Sequence, residues 1–173
     1  MKPSAPFRFF VFLLLLACVA VLAKFILFKK SPRYYKHYFR YEFAHYKISE
    51  GKKKANMVPF KTIKLMQSDR LSEEYRTGNI AGNIVGFIPL GVLFPLLFVG
   101  LRRLWRTALM VFLVSLGFEV TQLVTGIGIF DVDDLILNVT GGIIGYLLII
   151  LFIRKRRTAK SYIHHKEDPR SGR

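Results

Sequence analysis

The hydrophobic pattern of the chain is dominated by four long apolar stretches, at residues 9–28, 80–99, 107–125 and 135–153. Lys24 and Glu119 are the charged residues within them. Each stretch is close to the ~20 residues that a helix needs to cross ~30 Å of hydrocarbon, and each is apolar around the whole helix. The pattern predicts an all-α fold, an integral membrane four-helix bundle, and it excludes an ordinary soluble domain.

The first stretch also has features of a targeting signal. Lys2 and Arg8 precede it, and residues 21–23 resemble a processing site. Apolar residues continue to Phe28, however, which makes the stretch long enough to span a membrane. We therefore interpret residues 1–28 as an uncleaved transmembrane anchor, with a cleaved signal or lipoprotein peptide as the alternative.

A basic and aromatic segment, residues 29–78, separates the first two stretches. Between Pro32 and Lys47 it holds seven Tyr or Phe residues among four Lys or Arg residues and one acid, Glu42. Amphipathic rings and long cationic side chains suit the headgroup layer of a membrane. We expect an interfacial structure over the bundle. The alternative is a disordered basic loop, since residues 51–54 form a solvated break.

The composition is strongly basic, with 27 Lys and Arg residues against 11 Asp and Glu residues and a net charge of +16. The cations cluster at the ends of the apolar stretches, as at Lys29, Lys30 and residues 154–157. This placement indicates phospholipid headgroups as partners and no nucleic acid. The one cysteine, Cys18, excludes an intrachain disulfide framework.

The two short loops between spans differ in charge. Residues 100–106 contain three arginines and no acid, whereas residues 126–134 contain three aspartates and no base. Short loops rich in Lys and Arg stay on the cytoplasmic side. We therefore predict a multi-pass protein of the cell membrane with both termini cytoplasmic, including a basic tail at residues 154–173.

Seven polar or acidic residues in or beside the last three spans are candidate ligand-binding residues. Chain direction places all of them within about 10 Å of one membrane surface, at ~1.5 Å per helical residue. Polar groups in hydrocarbon are costly and so indicate function; interhelical hydrogen bonding is the alternative for the amides. The seven residues are Asn79, Asn83, Glu119, Gln122, Asp131, Asp134 and Asn138.

Small residues accompany this polar layer. Gly82 and Gly86 in the second span, and glycines 141, 142 and 145 in the fourth, have the spacing that lets helices approach closely. Glu119 has a structural alternative of its own, as a hydrogen-bond partner of Asn83 or Asn138.

The acidic run at the start of the fourth span allows three interpretations. Asp131, Asp133 and Asp134 could cap the helix, contact a cationic ligand, or hold a divalent cation such as Mg²⁺ through their oxygens. Asp131 and Asp134 share a helix face with Asn138, and Asp133 is turned ~100° from Asp134. We accordingly expect Asp133 to matter least for function.

Four blocks of the sequence together resemble the VanZ-like membrane proteins. They are NMVPFKTI at 56–63, GNIVGFIPLG at 82–91, EVTQ at 119–122 and DVDDLILNVTGG at 131–142. The resemblance covers residues 56–146 and implies a three-span VanZ-like core at residues 79–153. It also implies an association with bacterial resistance to teicoplanin and other lipoglycopeptides, without assigning a molecular activity.

Three functions remain open at this point. The leading hypothesis is an envelope factor that binds a lipid-linked cell-wall precursor or a lipoglycopeptide at the outer leaflet. Its rival is a metal-dependent intramembrane enzyme acting on a lipid-linked phosphate or sugar. A transporter or channel is disfavoured, because the other half of the bundle, such as residues 143–153, offers few polar groups to carry an ion.

Overall fold

A computed structural model describes the backbone of residues 4–66 and 73–167, and their side chains except at 66, 73–78, 154 and 156–167. Residues 1–3 of the predicted anchor, 67–72 of the basic segment and 168–173 of the tail lie outside this description. Within it the fold is all-α. The seven α-helices are α1 Ala5–Leu27, α2 Pro32–His37, α3 Ile48–Lys54, α4 Lys61–Met66, α5 Glu73–Leu97, α6 Leu104–Thr125 and α7 Val132–Glu167.

Four of these helices are long and apolar enough to cross a membrane: α1, residues 79–97 of α5, α6, and residues 132–153 of α7. They coincide with the four apolar stretches of the sequence, so the predicted all-α fold with four spans is confirmed. Phe87, Leu90 and Val111 are fully buried where α5, α6 and their neighbours meet. Many other large apolar side chains face outward, as lipid contact requires.

Helices α5 and α7 approach each other most closely, through glycine. A Cβ atom at Gly141 would collide with the carbonyl oxygen of Ile84, and one at Gly145 would collide with that of Ile88. The predicted close approach at the glycines of the fourth span is therefore confirmed. At Gly82 the prediction was wrong, because a Cβ atom there would meet nothing within 4 Å.

The described part of the basic aromatic segment folds against the ends of two spans. The hydroxyl of Tyr38 donates to the carbonyl of Thr125 at 2.9 Å, and that of Tyr46 donates to the carbonyl of Leu123 at 2.7 Å. These carbonyls belong to the last turn of α6, which lacks intrahelical donors. Burial raises the pKa of Tyr38 and Tyr46, so both hydroxyls keep their protons at neutral pH.

Tyr35 makes the same kind of contact at the end of α1, where its hydroxyl donates to the carbonyl of Leu27 at 3.1 Å. The segment is thus ordered in its described part, and the disordered-loop alternative is wrong there. Sequence alone assigned these rings to the headgroup layer. In the structure, the hydroxyl groups of Tyr35, Tyr38 and Tyr46 donate hydrogen bonds to carbonyl groups at helix ends.

Candidate functional site

Two aspartates at the start of α7 hold the turn that precedes α4. We call this arrangement the latch and define it by Asn56, Thr62, Asp131 and Asp133. The backbone also takes part, since the N–H of Asn56 donates to the carbonyl of Phe130 at 2.9 Å and the N–H of Val132 donates to the carbonyl of Asn56 at 3.0 Å. The chain at residue 56 is thereby fixed against the start of α7.

Asp133 supplies the central acceptor of the latch. Its carboxylate accepts hydrogen bonds from the backbone N–H groups of Phe60, of Thr62 at 2.7 Å and of Ile63 at 3.1 Å. The N–H groups of Thr62 and Ile63 belong to the first turn of α4 and have no partner within the helix, and that of Phe60 immediately precedes the helix. Asp133 has no exposed surface. Asp133, which we expected to matter least for function, is thus the most deeply buried of the three aspartates.

Backbone strain at Phe60 accompanies this contact. Its φ of 64° lies in the left-handed region, which bulky side chains rarely adopt. The carbonyl of Phe60 accepts the first hydrogen bond of α4, from the N–H of Lys64 at 3.0 Å. Because such strain persists only where surrounding contacts fix the backbone, we attribute the conformation to the hold of Asp133.

Asp131 forms the second half of the latch. It accepts hydrogen bonds from the Asn56 amide at 2.8 Å and from the Thr62 hydroxyl at 2.6 Å, and it caps α7 by accepting from the N–H of Asp133 at 2.8 Å. Glu119, 1% exposed, accepts from the N–H of Asp131 at 2.8 Å. Glu119 thus supports the latch from α6. The alternative that it binds Asn83 or Asn138 was wrong, because those amides donate to Asp134 and Ser115.

Asp134 belongs to a different part of the molecule. Its carboxylate accepts a hydrogen bond at 2.7 Å from the amide of Asn83 on α5. Asn83 also lies 3.5 Å from the side-chain oxygen of Asn79. The three residues form a polar line that leads from α7 across α5.

A groove between α1 and α5 begins at the end of this line, with a volume of about 1110 Å³. One end is polar and is formed by Lys29, Asn79 and Asn83. The rest of the described lining is small or apolar: Leu14, Ala17, Cys18, Val21, Leu22, Phe25, Ile26, Gly82, Gly86, Phe87, Ile88, Pro89, Val92 and Leu93. The groove is thus apolar along most of its length and polar at one end.

A family model described as VanZ/LLP1 matches residues 9–153, which is most of the chain. This protein belongs to the VanZ/LLP1 family. Neither a search of curated proteins nor a search of solved structures gave a match. The family match extends further than the four blocks and includes α1 and the basic aromatic segment.

In this VanZ/LLP1 protein the four sequence blocks have distinct structural tasks. The first block, residues 56–63, and the start of the fourth, residues 131–133, form the latch. The second block, residues 82–91, lines the groove and packs on the glycines of α7. The third block contributes Glu119, which binds the backbone at Asp131.

The remaining two candidates are interhelical ties, as their alternative interpretation predicted. The Asn138 amide donates to the Ser115 hydroxyl at 2.8 Å, between α7 and α6. Gln122 donates to the carbonyl of Ile26 at 3.0 Å and so binds α6 to the end of α1. The side-chain oxygen of Asn138 is buried with no hydrogen-bond partner among the described residues.

The aspartates of this VanZ/LLP1 protein do not converge on one point. Asp131 and Asp133 face the latch, and Asp134 faces Asn83. In the described part of the chain, no three His, Cys, Asp or Glu side chains are grouped as metal ligands. A shared cation site at Asp131, Asp133 and Asp134 is therefore not what this geometry supports.

Sequence reasoning did not single out Lys29, Asn56 or Thr62 as site residues. Lys29 was read only as one of several flanking cations, and its place in the groove depends on how α1 packs on α5. Asn56 and Thr62 carried a signal, since both lie in the first sequence block. What the sequence could not give was their partner, which lies 69 or more residues away.

Proposed function

We propose that this protein is an envelope factor of a bacterial cell membrane that binds an amphiphilic ligand in the groove between α1 and α5. By holding a lipid-linked cell-wall component or a lipoglycopeptide there, it contributes to resistance to teicoplanin and related compounds. The proposal is of binding without turnover. Membership of the VanZ/LLP1 family supports the link to resistance.

The groove is the observation that carries this proposal. It is apolar along most of its length and has Lys29, Asn79 and Asn83 at one end. A ligand with a hydrocarbon chain and a polar head fits this distribution, because the chain contacts apolar walls and the head meets hydrogen-bonding groups.

The orientation of the protein in the membrane decides which leaflet the polar end of the groove faces. The loop at residues 100–106 holds Arg102, Arg103 and Arg106, whereas the loop at residues 126–134 holds three aspartates. The positive-inside rule therefore supports cytoplasmic termini. The end of α1, the start of α5 and the start of α7 then face the outside, and so does the polar end of the groove.

The latch fixes the start of α7 next to this outer end, and none of its residues is part of the described lining of the groove. Asp133 and Asp131 bind the turn before α4, Glu119 binds the backbone beneath it, and Asn83 connects α7 to the groove through Asp134. Binding sites gain affinity when their polar groups are already in place before the ligand arrives. We assign that task to the latch and the binding itself to the groove.

Teicoplanin susceptibility of a strain that lacks the gene tests the proposal. The strain is complemented with the wild type, with Gly82→Leu or with Gly117→Leu. A Cβ atom at either glycine meets nothing within 4 Å, but only Gly82 lines the groove. Gly117→Leu is thus a matched control for the effect of a larger residue in a helix.

We expect the wild type and Gly117→Leu to restore resistance and Gly82→Leu to fail at equal membrane abundance. Equal resistance from Gly82→Leu would separate the groove from the phenotype. No change of susceptibility on deletion would contradict the role in resistance itself.

A further inference from the structure

We infer that the ligand of the groove is a lipid with a single long chain and a phosphate head, the class of the polyprenyl phosphates. This inference rests on the proposed function and names the substrate class of the same groove. Three properties of the groove carry it: its length, the charge at its polar end, and the open space beside Gly82.

The groove is longer than one leaflet of the bilayer is thick. On α1 the lining runs from Leu14 to Ile26, and on α5 it runs from Asn79 to Leu93; Lys29 lies two residues beyond the end of α1. These distances are about 18 Å on α1 and about 21 Å on α5 at ~1.5 Å per residue, whereas half of a ~30 Å hydrocarbon core is about 15 Å. A chain that fills the groove must pass the bilayer midplane, which an ordinary acyl tail does not need to do.

The polar end has the chemistry of an anion site. Among the described residues of the lining, Lys29 is the cation, and Asn79 adds a second side chain with N–H donors. Lys29 lies close enough to Glu119 and Asp134 to interact electrostatically with both carboxyl groups. Neither acid is part of the described lining, however, and each accepts a hydrogen bond from the protein itself. An ammonium group beside amide donors favours a phosphate.

The groove differs in width between Gly82 and Gly86. A Cβ atom at Gly82 would meet nothing within 4 Å, whereas one at Gly86 would lie 3.1 Å from Leu22. The groove is therefore wide beside its polar end and narrows one helical turn further into the membrane. A second chain attached to the same head would have to leave the groove at this narrowing.

The experiment measures binding to the purified full-length protein in detergent by titration under native mass spectrometry. The probes are undecaprenyl phosphate, farnesyl phosphate, uncharged undecaprenol and dioleoyl phosphatidylglycerol. The variants are Lys29→Gln and Gly82→Leu. The matched controls are Lys24→Gln, an exposed cation of α1 outside the described lining, and Gly117→Leu.

We expect undecaprenyl phosphate to bind about tenfold or more tightly than each other probe. For undecaprenol, the loss of one charge-assisted contact corresponds to roughly that factor. For farnesyl phosphate the reason is its shorter chain, and for the phosphatidylglycerol it is the second chain, which the groove does not hold. Lys29→Gln should lower the affinity for undecaprenyl phosphate about tenfold and leave the affinity for undecaprenol unchanged. Gly82→Leu should weaken both, and the two controls should bind like the wild type.

Equal affinity for phosphatidylglycerol, equal affinity for farnesyl phosphate, or an unaffected Lys29→Gln variant would overturn the inference. If Gly82→Leu fails to fold, the probe series and Lys29→Gln still decide the question. Resistance without undecaprenyl phosphate binding would overturn this inference alone. Binding without a resistance phenotype would contradict the proposed role and leave the ligand class intact.

Discussion

Replacing Asp133 by asparagine should loosen the turn before α4. The wild-type carboxylate serves three backbone N–H groups with its two oxygens. Asparagine has one carbonyl oxygen, which can keep the bonds to Thr62 and Ile63. The N–H of Phe60 would then face an amide NH₂ group and would lose its acceptor.

The size of the effect follows from that one bond. A hydrogen bond to a charged group contributes about 1.5–3 kcal/mol, and every ~1.4 kcal/mol changes an equilibrium tenfold. Amide hydrogen exchange through local opening reports this free energy directly. Exchange at Phe60, Thr62 and Ile63 should therefore accelerate by about 10-fold to 150-fold in Asp133→Asn.

Hydrogen–deuterium exchange of purified protein, followed on peptides that cover residues 56–66, measures this change. Asp134→Asn is the matched control, because its hydrogen bond goes to Asn83 and not to the latch. Unchanged exchange in Asp133→Asn, or the same acceleration in Asp134→Asn, would refute the assignment of Asp133 to the latch.

Three further predictions concern the bundle. Asn138→Ala removes the bond to Ser115 and should lower thermal stability in detergent by up to about 2 kcal/mol; wild-type stability with lost resistance would instead place Asn138 in the ligand site. Gly141→Ala should sharply reduce the yield of folded protein, because its Cβ would strike the Ile84 carbonyl, whereas equal yields from Gly141→Ala and Gly117→Ala would contradict that packing. A C-terminal fusion to green fluorescent protein should fluoresce and one to alkaline phosphatase should be inactive; the opposite pair of results would invert the proposed orientation.

The spans could be predicted from sequence because the membrane imposes a single strong rule on them. A helix must supply about 20 apolar residues, and the four stretches at 9–28, 80–99, 107–125 and 135–153 match the four long apolar helices. The shared level of the polar residues also followed from chain direction alone. Neither inference required knowledge of which helices touch.

The partners of the polar residues could not be predicted in the same way. The ~100° turn between Asp133 and Asp134 was correctly expected to separate their side chains. The sequence could not show, however, that Asp133 binds the backbone N–H groups of residues 60–63. Gly82 shows the same limit. Its spacing resembled a helix contact, and the structure places it beside open space.

The most direct test of the account is the lipid that the protein retains when it is purified from membranes and progressively delipidated, measured by native mass spectrometry. The account predicts one tightly held amphiphile on the wild type and on Gly117→Leu, and none on Gly82→Leu, whose side chain would occupy the groove. Equal retention by Gly82→Leu, or no retained molecule on the wild type, would contradict the claim that the groove between α1 and α5 is the binding site.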